Sequence, residues 1–329
     1  MDRKKLQILV PHYREPEAVV KPLLDSIALQ QHVDFDKIGV IICNDGSDQV
    51  LSEEFLQSYP FKIEYYILLH RGISATRNSC LEKATAEYVM FCDSDDMFSF
   101  MLGLYQILTE TETGFDVMTS LLTMELKNRE TGEIYYENRE MDGIFVHGKV
   151  FRREFLMKNE IWFDERLNVC CEDSYFVSLC LSISKNTIYC PIPFYMWKYH
   201  EGSVSHRDKD YEAKAYRYII ESNDYLLEDL LSRGIRDKAV TYAASLVINV
   251  YGAIKDPNTF GPEQAEYAEE TEKLIGEWCQ KYRYLYEEST VDEKDRILDY
   301  VYDDFNPMDT QQALLQIERW LDLCMQKYE

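Results

Sequence analysis

Short apolar runs alternate with polar, turn-forming segments through the first hundred residues. Leu6-Gln7-Ile8-Leu9-Val10 runs into Pro11-His12-Tyr13-Arg14. Ile38-Gly39-Val40-Ile41-Ile42-Cys43 ends in Asn44-Asp45-Gly46-Ser47-Asp48, and the run from Ile63 to Leu69 gives way to His70-Arg71-Gly72. A fourth run, Glu87-Tyr88-Val89-Met90-Phe91-Cys92, ends in Asp93-Ser94-Asp95-Asp96. The runs have strand length and are rich in β-branched and aromatic residues. Helix-like stretches at 16–31, 50–58 and 73–84 separate them. Pro22 sits inside the first stretch and is expected to split or kink it. Strands alternating with helices predict a parallel sheet whose carboxyl-end loops face one crevice, where open α/β sheets bind ligands.

From 113 onward the pattern is mixed. Phe115 to Met124 reads as a strand, Thr131-Gly132-Glu133 as a turn, and Ile134 to Tyr136 as its return. Lys149 to Lys158 and Glu172 to Ile183 read as helices, and Thr187 to Cys190 as a strand. Beyond Asp208 strand signals vanish. Apolar positions such as Tyr218, Ile219, Leu226, Leu227, Leu230 and Leu231 recur at helical spacing. This stretch carries 27 Asp and Glu against 14 Lys and Arg. It predicts an acidic appendage of about five helices, broken near Asp256-Pro257 and Asn306-Pro307. The expected division is therefore 1–112, alternating strands and helices; 113–207, mixed; and 208–329, all helical.

Composition narrows the function. The 329-residue chain is 46% apolar, enough for a substantial core. Its formal charge of −24 argues against a general nucleic-acid surface, which needs a basic stripe, and against unaided docking on anionic lipid. No run approaches the roughly 18 apolar residues of a membrane span. The apolar run after Met1-Asp2-Arg3-Lys4-Lys5 is too short for a signal-peptide core. The nine cysteines show no Cys-x-x-Cys pair and no zinc spacing. They read as small buried hydrophobes of a reducing compartment, so a cytoplasmic location is expected.

The Asp93-Ser94-Asp95-Asp96 cluster changes the picture most. A strand ending in Asp-x-Asp points two carboxylates at one spot, because side chains two apart share a face. Such charges repel unless something positive lies between them. A hard divalent cation that also grips a phosphate is one solution. The plainer alternative is a strand-end turn or helix cap, where Asp is favoured anyway.

The company of this cluster resembles the family 2 glycosyltransferases, enzymes of the GT-A fold that move a sugar from a nucleoside diphosphate to an acceptor. The resemblance runs from about residue 6 to about residue 206. It is carried by an ordered set: the Val-Pro-x-Tyr opening, Asn-Asp-Gly-Ser-Asp, Gly-x-Ser-x-x-Arg-Asn, Asp-Ser-Asp-Asp, Lys-Val-Phe-Arg-Arg, Glu-Asp-x-x-Phe and a late His-x-x-x-Val-Ser. It implies an α/β fold of GT-A type, a Rossmann-like mostly parallel sheet followed by the helical appendage.

The resemblance also implies roles. Pro11, Tyr13 and Asp45 would bind the base, Tyr13 covering its face and Asp45 accepting the uracil imide N–H. Asp93 would lie near the ribose and Asp95 on a metal bridging both phosphates, with Asp96 in support. Arg77 would face the diphosphate or Asp93; a structural ion pair is its alternative. His200 would be an imidazole ligand, which suits manganese as well as magnesium. Asp173 would be the general base, with a first-turn helix charge as its plainer reading. The family's Asn before this Gly is His70 here, which receives no role, and the Gly before Glu-Asp is Cys171. Lys149 reads as an exposed, solvated lysine. One base without a nucleophile implies single displacement and inversion.

The leading expectation is thus a metal-dependent inverting enzyme using a UDP-sugar and an acceptor glycan or glycoconjugate. One alternative glycosylates modified DNA bases, as some phage enzymes do; overall acidity opposes it, while a strip of Arg152, Arg153 and Lys158 keeps it open. Another is a non-catalytic nucleotide-sugar-binding scaffold, against which the intact Asp93, Asp95 and Asp173 argue. A nucleotidyltransferase would open with a Gly-rich basic loop, and Val10-Pro11-His12-Tyr13 is not one. The helical appendage is expected to shape the acceptor side or to bind a partner or a second copy.

Overall fold

The four apolar runs of the alternating region form four parallel strands: β1 (Leu6–His12), β2 (Ile38–Asn44), β3 (Lys62–Ile67) and β4 (Tyr88–Phe91). They lie in the order β3-β2-β1-β4. Every residue of β1, β2 and β4 is buried, as expected for strands covered on both faces. The computed structural model describes residues 4–128, 131–140, 143–200, 210–301 and 310–328. It divides into two units, Met1–His200 and Glu201–Glu329; the boundary expected at 207 lies outside the described residues.

Helices α1 (Glu17–Ala28), α2 (Glu53–Gln57) and α3 (Ile73–Lys83) separate the strands. Pro22 does not split α1, which continues through it. A proline removes one intrahelical donor. Burial of Val20, Leu23, Leu24 and Ile27 offsets that loss.

The second half extends the sheet. Its elements are β5 (Met97–Phe98), α4 (Gly103–Thr111), β6 (Val117–Lys127), β7 (Ile134–Glu140), β8 (Val150–Arg152), α5 (Arg153–Lys158), α6 (Glu172–Ile183) and β9 (Thr187–Trp197). The sheet order is β3-β2-β1-β4-β8-β6-β9-β5, with β7 paired to β6. β8 is antiparallel to β4, with Val89 opposite Phe151, so the sheet is mixed.

Sequence reading placed a helix over 149–158, but it begins at Arg153. The first residues are drawn into β8 because Val150 and Phe151 bury completely between β4 and β6. Phe151 joins an aromatic cluster. Phe163 stacks on Phe176 at 4.1 Å between centroids, and Phe91 meets Phe163 edge-on at 5.0 Å. Phe91 ends β4 and Phe176 lies in α6, so this cluster holds the start of α6 against the end of β4.

The second unit is five helices among the described residues: α7 (Tyr211–Ser232), α8 (Arg236–Lys255), α9 (Ala265–Glu288), α10 (Val291–Val301) and α11 (Thr310–Lys327). Their apolar stripes bury Leu226, Leu230, Val247, Ile275, Trp278, Ile317 and Leu321. α8 stops at Lys255, before Asp256-Pro257, as its pattern predicts. The break expected at Asn306-Pro307 lies outside the described residues. No described helix is long and apolar enough to cross a membrane.

Candidate active site

The loops after β1 and β2 build one wall of the crevice. Asn44 ends β2 and pins the following turn: its Oδ1 accepts from Ser47 N at 2.8 Å. Asp45, only 4% exposed, gathers three donors. Arg71 N reaches its Oδ1 at 2.8 Å, while Gly72 N and His70 Nδ1 reach its Oδ2 at 2.9 and 2.8 Å. A carboxylate has about four lone-pair sites, so room for one more donor remains. The Tyr13 ring stacks on the His70 ring at 4.7 Å. Pro11 is buried in β1 opposite Cys43. His70, given no role from sequence, is thus the contact that joins Tyr13 to Asp45.

Gly46 allows this wall to close. Its φ is +68°, and a Cβ there would lie 2.5 Å from His70 N. Gly46→Ala is therefore expected to destabilise the first unit by about 1–3 kcal/mol, the usual scale of local backbone strain. Denaturant midpoints would check it.

Ser74, Arg77 and Asn78 of the Gly-x-Ser-x-x-Arg-Asn motif share one face of α3. Asn78 exchanges two 2.9 Å hydrogen bonds with the Phe163 backbone, and the Ser74 hydroxyl donates to Leu167 O. Arg77, 2% exposed, donates through Nη1 to Glu172 at 2.7 Å and through Nη2 to Asp93 at 3.1 Å. One guanidinium thus ties the end of β4 to the start of α6. Burial alone would discharge Arg77, but Asp93 and Glu172 hold it firmly charged.

Asp93 also meets His147 Nε2 at 3.1 Å through its other oxygen. Burial would raise the Asp93 carboxyl, but His147 and Arg77 hold it well below the usual carboxylate range. His147, 5% exposed, stacks on Tyr195 at 5.0 Å. The Tyr195 hydroxyl accepts from Asp93 N at 3.0 Å and donates to Asp96 Oδ2 at 2.5 Å. Lys198 N donates to Asp96 Oδ1 at 2.8 Å. Burial raises the Asp96 carboxyl, with His147 opposing and Asp93 and Asp95 adding to the shift.

Among the described residues, two donor sets could hold a cation. The ligand atoms of Asp93, Asp96 and His147 lie within 4.8 Å of one another. That trio already has compensation from Arg77, Tyr195 and Lys198 N. The second set is Asp95 and His200, whose Oδ2 and Nε2 are 3.5 Å apart on side chains 38% and 33% exposed. Burial and Asp93 raise the Asp95 carboxyl, which His200 counteracts. An oxygen and an imidazole nitrogen are ligand types that a hard or borderline dication accepts, and the same Nε2 also lies 3.0 Å from Asp95 O. Of the late His-x-x-x-Val-Ser motif, Val204 and Ser205 lie outside the described residues.

Asp173 stands in the first turn of α6, next to the Arg77 partner Glu172. Its Oδ1 accepts from Ser174 N at 2.9 Å. Burial and the neighbouring Glu172 push its carboxyl up to about 6, against the pull of Arg77 and His147. Such a carboxylate can take a proton near neutrality. Lys149 is not a solvated lysine: it is 1% exposed, and its Nζ donates to Phe145 O at 2.6 Å. The turn at Gly148, φ +68°, directs the chain inward into β8 and takes the lysine with it.

Sequence reasoning missed His147, Tyr195 and the bridging role of Glu172. His147 carried a local signal, lying immediately before the Gly-Lys-Val-Phe-Arg-Arg segment. Tyr195 carried none.

Residues 7–163 match the sequence profile described as Glycosyl transferase family 2. Glycosyltransferase GlyA of Streptococcus pneumoniae is 26% identical over 61% of this chain, which spans only 31% of that relative's length. The uncharacterized glycosyltransferase YibD of Escherichia coli is 25% identical over 72% of this chain and 74% of its own. A crystal structure of S. aureus TarS 1–349 in complex with UDP superposes with a TM-score of 0.62 at 16% identity, covering 98% of this chain and 91% of that one. That likeness extends the GT-A α/β fold, with its helical C-terminal part, over the present chain. Ordered motifs, the mixed sheet with acidic strand ends and the matched profile converge: residues 7–163, just under half of the chain, are a family 2 glycosyltransferase region.

Proposed function

We propose that this protein moves a sugar from a UDP-sugar to an acceptor hydroxyl of a glycan or glycoconjugate by single displacement, inverting the anomeric centre. The observation that carries the reading is the Arg77 bridge between Asp93 and the start of α6. It fixes a donor-side carboxylate and the candidate base Asp173 in one rigid frame. TarS in complex with UDP, a fold neighbour, supports uridine as the donor base.

In this reading the base slides beside Tyr13, and its imide N–H takes the remaining site on Asp45. Pro11 forms the floor of that slot. Asp93, held ionised by Arg77 and His147, accepts from the ribose hydroxyls. Asp95 and His200 would hold a manganese or magnesium ion, which would supply positive charge against the leaving diphosphate. Asp173 accepts the acceptor proton as its oxygen attacks. No second carboxylate is assigned as nucleophile, hence inversion. The work takes place in a reducing cytoplasm, and the helical unit governs acceptor access or assembly.

The test is thermal stabilisation of the full chain by UDP with and without manganese. UDP plus manganese is expected to raise the melting temperature, and Asp95→Ala to abolish the manganese-dependent part. Equal UDP affinity in chelator and in manganese would overturn the bridging ion.

A further inference from the structure

Two cysteines stand apart from the other seven, which are all buried. Cys170 and Cys171 are adjacent, half-buried, and bring their sulfurs within 3.1 Å. They immediately precede Glu172 and Asp173. Cys171 is the N-cap of α6 in a left-handed conformation, φ 67°, unusual for any residue with a Cβ. We propose that this vicinal dithiol is a modification site: exchange with a small-molecule disulfide closes it into a ring that displaces the start of α6.

The chemistry balances without any further reactant. The Cys170 thiolate attacks one sulfur of the small disulfide, whose S–S bond breaks and releases one thiolate. The Cys171 thiol gives its proton to solvent, and its sulfur attacks Cys170 Sγ, releasing the second thiolate. Two protein thiols are oxidised and one disulfide is reduced to two thiols. The Cys170 sulfur beside it, together with burial and the carboxylates of Asp173 and Glu172, holds the Cys171 thiol protonated. Cys170 is therefore the attacking group and Cys171 the resolving one.

The geometry also sets the consequence. Consecutive Cα atoms are about 3.8 Å apart across a trans peptide, short of the roughly 4.4 Å at which ordinary disulfides begin. Closing the ring must deform the peptide that positions Glu172. The product is strained, hence easily reduced, which is the property of a reversible rather than structural disulfide. Glu172 loses its aim at Arg77, and Asp173 moves with it. The donor wall of Tyr13, Asp45 and His70 belongs to other elements and keeps its shape.

The effect on transfer rests on the function proposed above; the ring closure does not. The experiment exposes the full chain to oxidised glutathione and reads two quantities separately. Peptide mass mapping is expected to show loss of two hydrogens confined to the peptide holding both cysteines, reversed by dithiothreitol. UDP release from a UDP-sugar is expected to fall at least tenfold in the same samples and recover on reduction, while manganese-dependent UDP binding is unchanged. Cys171→Gly suits the left-handed backbone and is expected to keep its rate before and after oxidant; Cys170→Ser gives a second insensitive chain. Two alkylatable thiols remaining after oxidation, or a lasting glutathione adduct on Cys170, would overturn the site. A closed ring with an undiminished rate would overturn the switch. A reduced chain with no UDP release would count against the proposed function, and the mass measurement would still decide the ring.

Discussion

Asp173→Asn is expected to lower the transfer rate about a hundredfold to ten-thousandfold while UDP binding persists, the usual cost of removing a general base. The substitution keeps the shape of the side chain and its acceptor contact with Ser174 N, and deletes only the proton-accepting charge. A folding defect would reduce binding and rate together, so the two must be measured on one preparation. Because the Asp173 carboxyl is raised to about 6, the wild-type rate carries a further signature. The base works only when ionised. Hence kcat/KM should be level above pH 7 and fall about tenfold for each unit below 6. That acid limb should vanish in the variant. A rate near wild type with the limb intact would move the base elsewhere, and Glu172 is the first place to look.

Much of this arrangement was legible in the sequence because local patterning and tertiary packing agree. The runs at 6–10, 38–43 and 88–92 are apolar on nearly every position, which suits strands covered on both faces, whereas 63–69 carries Glu64 and forms the partly exposed edge strand β3. Ser74, Arg77 and Asn78 fall at helical spacing, so their common direction followed once α3 was assigned. The Asp93 partner of Arg77 was among the expectations, but the other contacts did not follow. Their partners Phe163, Leu167 and Glu172 lie 85 to 95 residues away, beyond any local signal. The same holds for β8, three residues long, whose existence depends on pairing with β4 and β6 rather than on its own propensity. Lys149 shows the limit most clearly. A lysine is ordinarily exposed, but the turn at Gly148 carries this one inward, where its ammonium donates to the Phe145 carbonyl.

His70 is an instructive middle case. From sequence it was a departure from the family's Asn and received no role. In the fold it donates to Asp45 and stacks on Tyr13, two contacts that join the loops after β1 and β2. An amide could supply the hydrogen bond but not the stacked ring. Sequence comparison marks where such a position differs; the contacts show what the difference supplies.

Arg77→Met should be the most destabilising single change in the first unit, by about 3–5 kcal/mol, because it strands charges that were buried with a partner. Arg77 is 2% exposed, with Asp93 on one terminal nitrogen and Glu172 on the other. Methionine fills similar volume and can still lie against Phe163, over whose ring the guanidinium sits at 5.4 Å. The loss is therefore electrostatic rather than a cavity. The pH dependence separates the two. In the wild type the depressed Asp93 carboxyl contributes stability above its unfolded value near 3.8, and that contribution fades as pH falls through the lower folded value. In the variant Asp93 has lost a cation, so the gap between the two proteins should be widest near neutrality and narrow toward pH 4 as the carboxylates take up protons. Arg77→Lys should fall between them, since an ammonium keeps the charge but cannot span both carboxylates. Denaturant unfolding at pH 7 and pH 4.5 measures all three. An unchanged midpoint for Arg77→Met at pH 7, with UDP affinity lost, would mean that Arg77 serves the diphosphate and that the frame joining β4 to α6 is held by the Phe91, Phe163 and Phe176 rings instead.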